Sequence, residues 1–285
     1  MIKWLAVLLM IIDHIGYFLG FQMPDSVVLV LRLIGRLSFP IFAYSIALGF
    51  LRTKNRTRYF WRMFLFACIT QAVLALTGYF THTGTFTNVM FTFSLAILMM
   101  AAAELLEKAN SAVLADNSKR SESVGTQDAK DGNNCTSPKI EIYGRQISAS
   151  FVSVLAIASI IAIIVVTNHF NPDYSIFGIF YVYLFYIIQK RIRKPGLTLS
   201  EDRYALKIMI ISILGLNILW ALYTRGSSTT PMYWVLMEIF SVFSIGILLL
   251  DKPRKKPARW EKYFFYIFYP AHLVVLMLLQ YWLFY

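Results

Sequence analysis

The chain is divided into nine apolar stretches, and the gaps between them alternate between strongly basic and nearly free of basic residues. The stretches cover about residues 4–21, 27–50, 60–78, 88–106, 151–168, 174–189, 205–223, 232–250 and 264–284. Most approach the roughly 20 apolar residues that a helix needs to cross a bilayer. The second gap carries Arg52, Lys54, Arg56 and Arg58, with Arg62 just beyond it, and the fourth Lys108, Lys119, Arg120, Lys130, Lys139 and Arg145. The sixth carries Lys190, Arg191, Arg193, Lys194 and Arg203, with Lys207 just beyond it, and the eighth Lys252, Arg254, Lys255, Lys256, Arg259 and Lys262. The odd-numbered gaps together hold one basic residue, Arg225. Because basic residues collect in cytoplasmic loops, the pattern predicts an all-α, polytopic transmembrane bundle of about nine spans. Its N-terminus lies inside and its C-terminus outside. A missed or extra span would scramble the alternation, so the whole pattern constrains topology more tightly than any one segment.

Composition excludes the soluble classes. Hydrophobic residues make up 58% of the chain and charged residues 15%, with a mean hydropathy of +0.60. Soluble domains carry about 25% charged residues. The net charge of +12 does not mark a nucleic-acid surface, because the cations sit in gaps between apolar runs; the expected partner is the lipid bilayer. Cys68 lies in an apolar run and Cys135 in a polar gap, which supports neither a disulfide nor a metal site. The first stretch follows one lysine, Lys3, and precedes no small-residue cleavage pattern, so it reads as an uncleaved span.

Three parts follow from this pattern: spans one to four over 1–106, an insert over 107–150, and spans five to nine over 151–285. The insert is rich in Ser, Asn, Asp, Lys and Gly and almost free of aromatics. It is expected to be a disordered cytoplasmic linker, since it has too little apolar surface to bury. Asn134-Cys135-Thr136 matches a glycosylation acceptor, but on a cytoplasmic loop the match is read as chance.

Ionisable residues inside a span are costly and are functional candidates by default. Counting along helices at about 1.5 Å per residue, His14 lies about ten residues into the first span, Arg36 about nine into the second and His272 about eight into the ninth. All three are thus near the midplane. Arg32 lies one turn outward of Arg36 on the same face. Asp13, Gly16, Tyr17 and Gly20 share a face of the first helix, where the glycines allow a neighbour close approach. Asp13 and Arg36 can form a structural ion pair between the first two helices, or serve chemistry. For His14 the functional reading is favoured, because imidazole suits proton transfer near neutral pH. For His272 the structural and functional readings stand level. Gln71, Asn217 and Glu238 are read as interhelical hydrogen-bonding residues, and Asn88 as the residue that opens the fourth span.

Three segments together resemble a known family. They are Asp13-His14-Ile15-Gly16; Gly35-Arg36-Leu37-Ser38-Phe39-Pro40-Ile41-Phe42-Ala43-Tyr44, continuing to Gly49-Phe50 and Arg52-Thr53-Lys54-Asn55-Arg56; and Lys262-Tyr263-Phe264-Phe265-Tyr266-Ile267-Phe268-Tyr269-Pro270-Ala271-His272-Leu273. In this order and topology they resemble the TraX family, named for N-terminal acetylation of conjugative pilin. Asn88-Val89-Met90-Phe91-Thr92 and Asp173-Tyr174 agree more weakly. The resemblance reaches both ends of the chain and leaves out the polar insert and the seventh and eighth spans.

The resemblance implies a multi-pass acetyltransferase of the bacterial cytoplasmic membrane, similar to the wider transmembrane acyltransferases. Its acyl donor would be cytoplasmic acetyl-CoA, with no metal. Its acceptor would be a pilin amine, or equally a cell-surface glycan or a lipid-linked hydroxyl. His14 would be the base or a transient acyl carrier, and Asp13 would orient it or restrain an arginine. Arg36 would stabilise charge near the thioester carbonyl, and His272 would be a second proton carrier. Arg52, Lys54, Asn55, Arg56 and Arg58 would hold the donor's phosphates, although the same residues also satisfy the positive-inside pattern. Two other classes stay open: a proton-coupled transporter using Asp13, His14, Arg36 and His272 as a relay, and a non-catalytic assembly factor for a pilus or fimbria that docks through the insert.

Overall fold

Long apolar runs dictate helices here, because backbone polar groups in hydrocarbon must be satisfied within the segment. A computed structural model describes residues 2–82, 86–124, 138–142, 144–193, 199–227, 239–250 and 259–284. Its helices are α1 (Ile2–Phe18), α2 (Asp25–Arg36), α3 (Ser38–Arg52), α4 (Arg56–Thr81), α5 (Val89–Val124), α6 (Ala149–Phe170), α7 (Ser175–Ile187), α8 (Arg203–Ser227), the short α9 (Ser244–Leu248) and α10 (Arg259–Phe284). Two strands, β1 (Lys139–Ile142) and β2 (Arg145–Ser148), form one hairpin. Among the described residues seven helices are long and apolar enough to cross a membrane. The chain is an all-α, multi-pass membrane protein.

That count differs from nine for two reasons. The first stretch forms α1, whose 17 residues lie at the short end of the range for a span. Of the eighth stretch only 239–250 are described, in short helical turns. Glu238 lies outside the described residues, as do Asn134, Cys135 and Thr136.

The chain divides into two compact units, residues 1–96 with 171–285, and residues 97–170. In the first unit α1 and α2 form a close antiparallel pair. A methyl group at Gly16 would lie 3.1 Å from Leu31 Cβ, and one at Gly20 3.2 Å from Val28, so these two glycines set the approach of the helices. Helices α2 and α3 form one continuous apolar stretch, Asp25–Arg52, interrupted at Leu37. Pro40 explains the break: it has no N–H for the Arg36 carbonyl and its ring crowds that carbonyl. Leu37 bonds back to the Ile34 carbonyl in a tighter turn, at 3.3 Å. Helix α7 lies along α3 through aromatic contacts, with Tyr44 against Phe185 and Phe50 against Tyr186, each at 5.7 Å between ring centroids. Helix α10 packs on α4 and α1, where Phe66 stacks on Tyr266 at 4.7 Å.

In the second unit the described residues of the 107–150 insert form a helix up to Val124 and a hairpin from Lys139, while 125–137 lie outside the described residues. Helix α5 continues through Glu107-Lys108-Ala109 to Val124, a stretch of good helix formers. Its 36 residues rise about 54 Å, well beyond the roughly 30 Å of hydrocarbon. The hairpin pairs Lys139 with Ser148 and Ile142 with Arg145, closing at Gly144 with φ 76°. It places Ile140, Ile142 and Ile147 against Ala109, Ala149 and Val152, with Leu105, Ala112 and Val113 around them. Alternating isoleucines thus supply the apolar face that average composition concealed.

Candidate functional site

Asp13 lies at the closest point of the α1–α2 pair. It occupies the space a side chain at Gly35 would need, resting against that backbone. This contact turns α2 so that Arg32 reaches Asp13: Arg32 Nη1 donates to Asp13 Oδ2 at 2.7 Å. The two residues are only 8% and 9% exposed, a depth at which each charge depends on the other. The expected partner, Arg36, does not form this ion pair. It stands at the last residue of α2, where the chain breaks, and its Nη1 donates to the Tyr174 hydroxyl at 3.1 Å. The Arg36 guanidinium also lies 5.8 Å from the centroid of the Tyr174 ring, within cation–π range.

His14, the next residue on α1, turns away from α2 toward α10. Its Nδ1 lies 2.8 Å from Nε2 of His272, the rings meeting edge to edge with planes 28° apart and centroids 5.0 Å apart. His272 Nδ1 lies 2.9 Å from the Phe268 carbonyl oxygen. The two histidines, 258 positions apart in sequence, are thus adjacent.

A cavity of about 510 Å³ opens above these groups, a size typical of small-molecule sites. Asp13, His14, Arg32 and Arg36 line its polar side, with Tyr17, Phe39, Phe42, Phe93, Trp220 and Tyr269 on its aromatic walls. Two connections complete it, 86–89 and 171–175. The first is pinned to α4: Asn88 Nδ2 donates to Gln71 Oε1 at 2.9 Å and to the Ala67 carbonyl at 3.0 Å, and Gln71 Nε2 donates to the Phe86 carbonyl at 3.0 Å. The second holds three non-glycine residues at positive φ, Asn171 (40°), Tyr174 (62°) and Ser175 (44°). Such a cluster is uncommon and is maintained by surrounding contacts. Asp173 N donates to the Thr87 carbonyl at 3.3 Å, Thr92 Oγ1 donates to the Asp173 carbonyl, and the Tyr174 ring stacks on Phe39 at 3.8 Å.

Of the residues expected in the site, Asp13, His14 and Arg36 line the cavity and His272 stands directly behind His14. Arg52, Lys54, Asn55, Arg56 and Arg58 do not line it. They cluster at the far end of α3, and four of them are exposed. Asn55 caps α4 by accepting from Arg58 N at 2.8 Å, and the half-buried Arg56 lies over the Phe50 ring at 4.8 Å. Asn217 is a hydrogen-bonding residue, with Tyr181 OH donating to its Oδ1 at 2.6 Å and its Nδ2 to Ser241 Oγ at 3.1 Å. Among the described residues no three His, Cys, Asp or Glu side chains converge as metal ligands. Tyr174 and the aromatic walls were not foreseen as site residues. The only signal for Tyr174 was the weak agreement of Asp173-Tyr174 with the family pattern.

The TraX protein family profile matches residues 1–117 and 140–280. The chain belongs to the TraX family. The match takes in the seventh and eighth stretches, which the three quoted segments left out, and omits 118–139. Every residue lining the cavity of this TraX protein falls within the matched ranges. Comparison with curated proteins and with solved structures yielded no match.

Proposed function

We propose that this TraX protein is a nine-span acetyltransferase of the bacterial cytoplasmic membrane, with its N-terminus inside and its C-terminus outside. It moves an acetyl group from cytoplasmic acetyl-CoA to a pilin N-terminal amine, or to a glycan or lipid-linked hydroxyl. The observation that carries this reading is the position of His14: it lines a cavity beside Arg36, at the break of a span, with its ring held by His272. Discontinuous helices and irregular backbone at membrane depth are tolerated where they line a site.

In the transfer, the acceptor nitrogen or oxygen attacks the thioester carbonyl carbon while His14 takes the acceptor's proton. The carbonyl oxygen gains negative charge, and the Arg36 guanidinium stabilises it. The carbon–sulfur bond then breaks, and the departing CoA sulfur takes the proton from the His14 imidazolium. The products are the acetylated acceptor and free CoA, and His14 returns to its starting state. The cavity is bordered by connections 86–89 and 171–175, which on an N-inside topology face outward. The acceptor therefore arrives from outside, and the basic residues Arg52–Arg58 draw the donor from the other face. From Arg36 to Arg52 the chain rises about 24 Å, so the donor must extend along α3 from phosphates to thioester.

Purified protein in vesicles, supplied with radiolabelled acetyl-CoA and a pilin peptide or glycan acceptor, tests the reading. Labelled acceptor from wild type and none from His14→Ala supports it; full transfer by His14→Ala overturns it. The broken span also suits a proton-coupled transporter. Substrate flux in proteoliposomes with no dependence on acyl-CoA would favour that alternative.

A further inference from the structure

A hydrogen bond between two imidazoles forces a choice of tautomers, and the contacts of His272 make that choice. A carbonyl oxygen only accepts, so the 2.9 Å contact between His272 Nδ1 and the Phe268 oxygen requires a proton on His272 Nδ1. A neutral His272 then has a bare Nε2, which can only accept. Across the 2.8 Å contact the donor is therefore His14 Nδ1, and the lone pair of His14 is left on Nε2. The other assignment would make His272 a cation, protonated on both nitrogens. That would add a third positive charge to a region where Arg32 and Arg36 already stand against two carboxylates, Asp13 and Asp173. Burial of an uncompensated charge is strongly unfavourable.

We propose that His272 is a positioning residue: it holds His14 in the Nδ1-protonated tautomer, so that Nε2 is the atom that takes the acceptor proton. This rests on the reading of His14 as the base. It assigns His272 the role that an orienting carboxylate plays beside a catalytic imidazole elsewhere, filled here by a neutral group. A carboxylate partner would have placed a further buried anion in the span. His272 does not itself exchange protons with the substrate. Its hydrogen bond to Phe268, one turn earlier on the Pro270-bearing helix α10, keeps its own Nδ1 proton in place through the cycle.

The chain has four histidines, few enough for their ring nitrogens to be resolved by 15N NMR of the full-length protein in lipid nanodiscs, with assignments from His82→Gln and His169→Gln. The expected spectrum shows His14 and His272 both protonated on Nδ1 only. A His14 protonated on Nε2, or a doubly protonated His272, would overturn the proposal, and neither readout depends on whether the protein transfers acetyl groups. Two variants then separate positioning from proton carriage. In His272→Gln the amide oxygen can accept from His14 Nδ1 but cannot titrate, so the His14 tautomer and transfer within about tenfold of wild type are expected. In His272→Leu no acceptor remains. His14 is expected to redistribute between tautomers, and kcat to fall by at least about a hundredfold with the KM for acetyl-CoA unchanged. If His272→Gln keeps the His14 tautomer yet is as inactive as His272→Leu, His272 carries protons and the positioning role is wrong. If His14→Ala is fully active while the tautomers are as expected, the acyl-transfer reading fails and the imidazole geometry stands.

Discussion

Two polar regions lie at opposite ends of α3, and they are built in opposite ways. At the Leu37 end, Asp13, Arg32, Arg36 and the two histidines are packed among aromatic rings, and each has a defined geometry. At the Arg52 end, the charged side chains are mostly exposed, and Asn55 is engaged in capping a helix. In sequence both regions read as candidate sites, with His14 favoured and the basic cluster equally accounted for by topology. The difference teaches that the surroundings of a charge in a membrane protein decide what its presence implies. A buried charge persists only where the structure supplies partners, whereas a solvated one needs no partner and satisfies a topological rule.

The largest effect is expected where a buried charge loses its partner. Asp13→Ala leaves Arg32 in the α1–α2 contact without its carboxylate and should destabilise the protein by about 3–5 kcal/mol, read as a lowered melting temperature in detergent. Adding Arg32→Leu should recover most of that loss; no recovery would mean that Asp13 acts through something other than Arg32. Next comes Gly35→Ala, whose new methyl group meets Asp13 directly. Overpacking of this kind costs about 1–3 kcal/mol, and helix α1 must shift, so transfer should fall along with stability. Gly215→Ala, where nothing lies within 4 Å of the added carbon, should change neither.

At the other end of α3 the effects shrink. Replacing the exposed Arg52, Lys54 and Arg58 together by Gln should raise the KM for acetyl-CoA by less than about tenfold and leave kcat unchanged, because exposed charges interact weakly. The difference should narrow further as salt rises. A collapse of kcat would break the comparison and make the basic end part of the chemistry. Asn55→Ala is the smallest: loss of the α4 cap costs about 1 kcal/mol in thermal stability, with no change in KM.

Several features were legible because they depend on local pattern alone. Apolar length predicted helices, and counting along them singled out His14, Arg36 and His272, which the fold brings together. Gly16 and Gly20 marked a close-packed face, whereas the break that Pro40 causes in the second span was not anticipated. The ordered parts of the insert are hidden in its average polarity, because the two local signals, the helix formers after Glu107 and the alternation Ile140, Ile142, are short. Tyr174 was hard to identify because its contribution comes from a left-handed backbone at the end of a loop, which no side-chain pattern announces.

The sequence by itself determined that this is a helical membrane protein with ionisable residues midway along its apolar stretches, because hydropathy and length are one-dimensional quantities. It also determined that those residues needed partners, since hydrocarbon offers none. Only the tertiary structure decided which partners they took. Arg32 rather than Arg36 bonds to Asp13 because the contact at Gly35 sets the rotation of α2 about its axis. His14 meets His272 because α1 and α10 pack side by side, joining residues 258 positions apart. Rotation and helix pairing arise from packing between elements, and a one-dimensional pattern does not carry them.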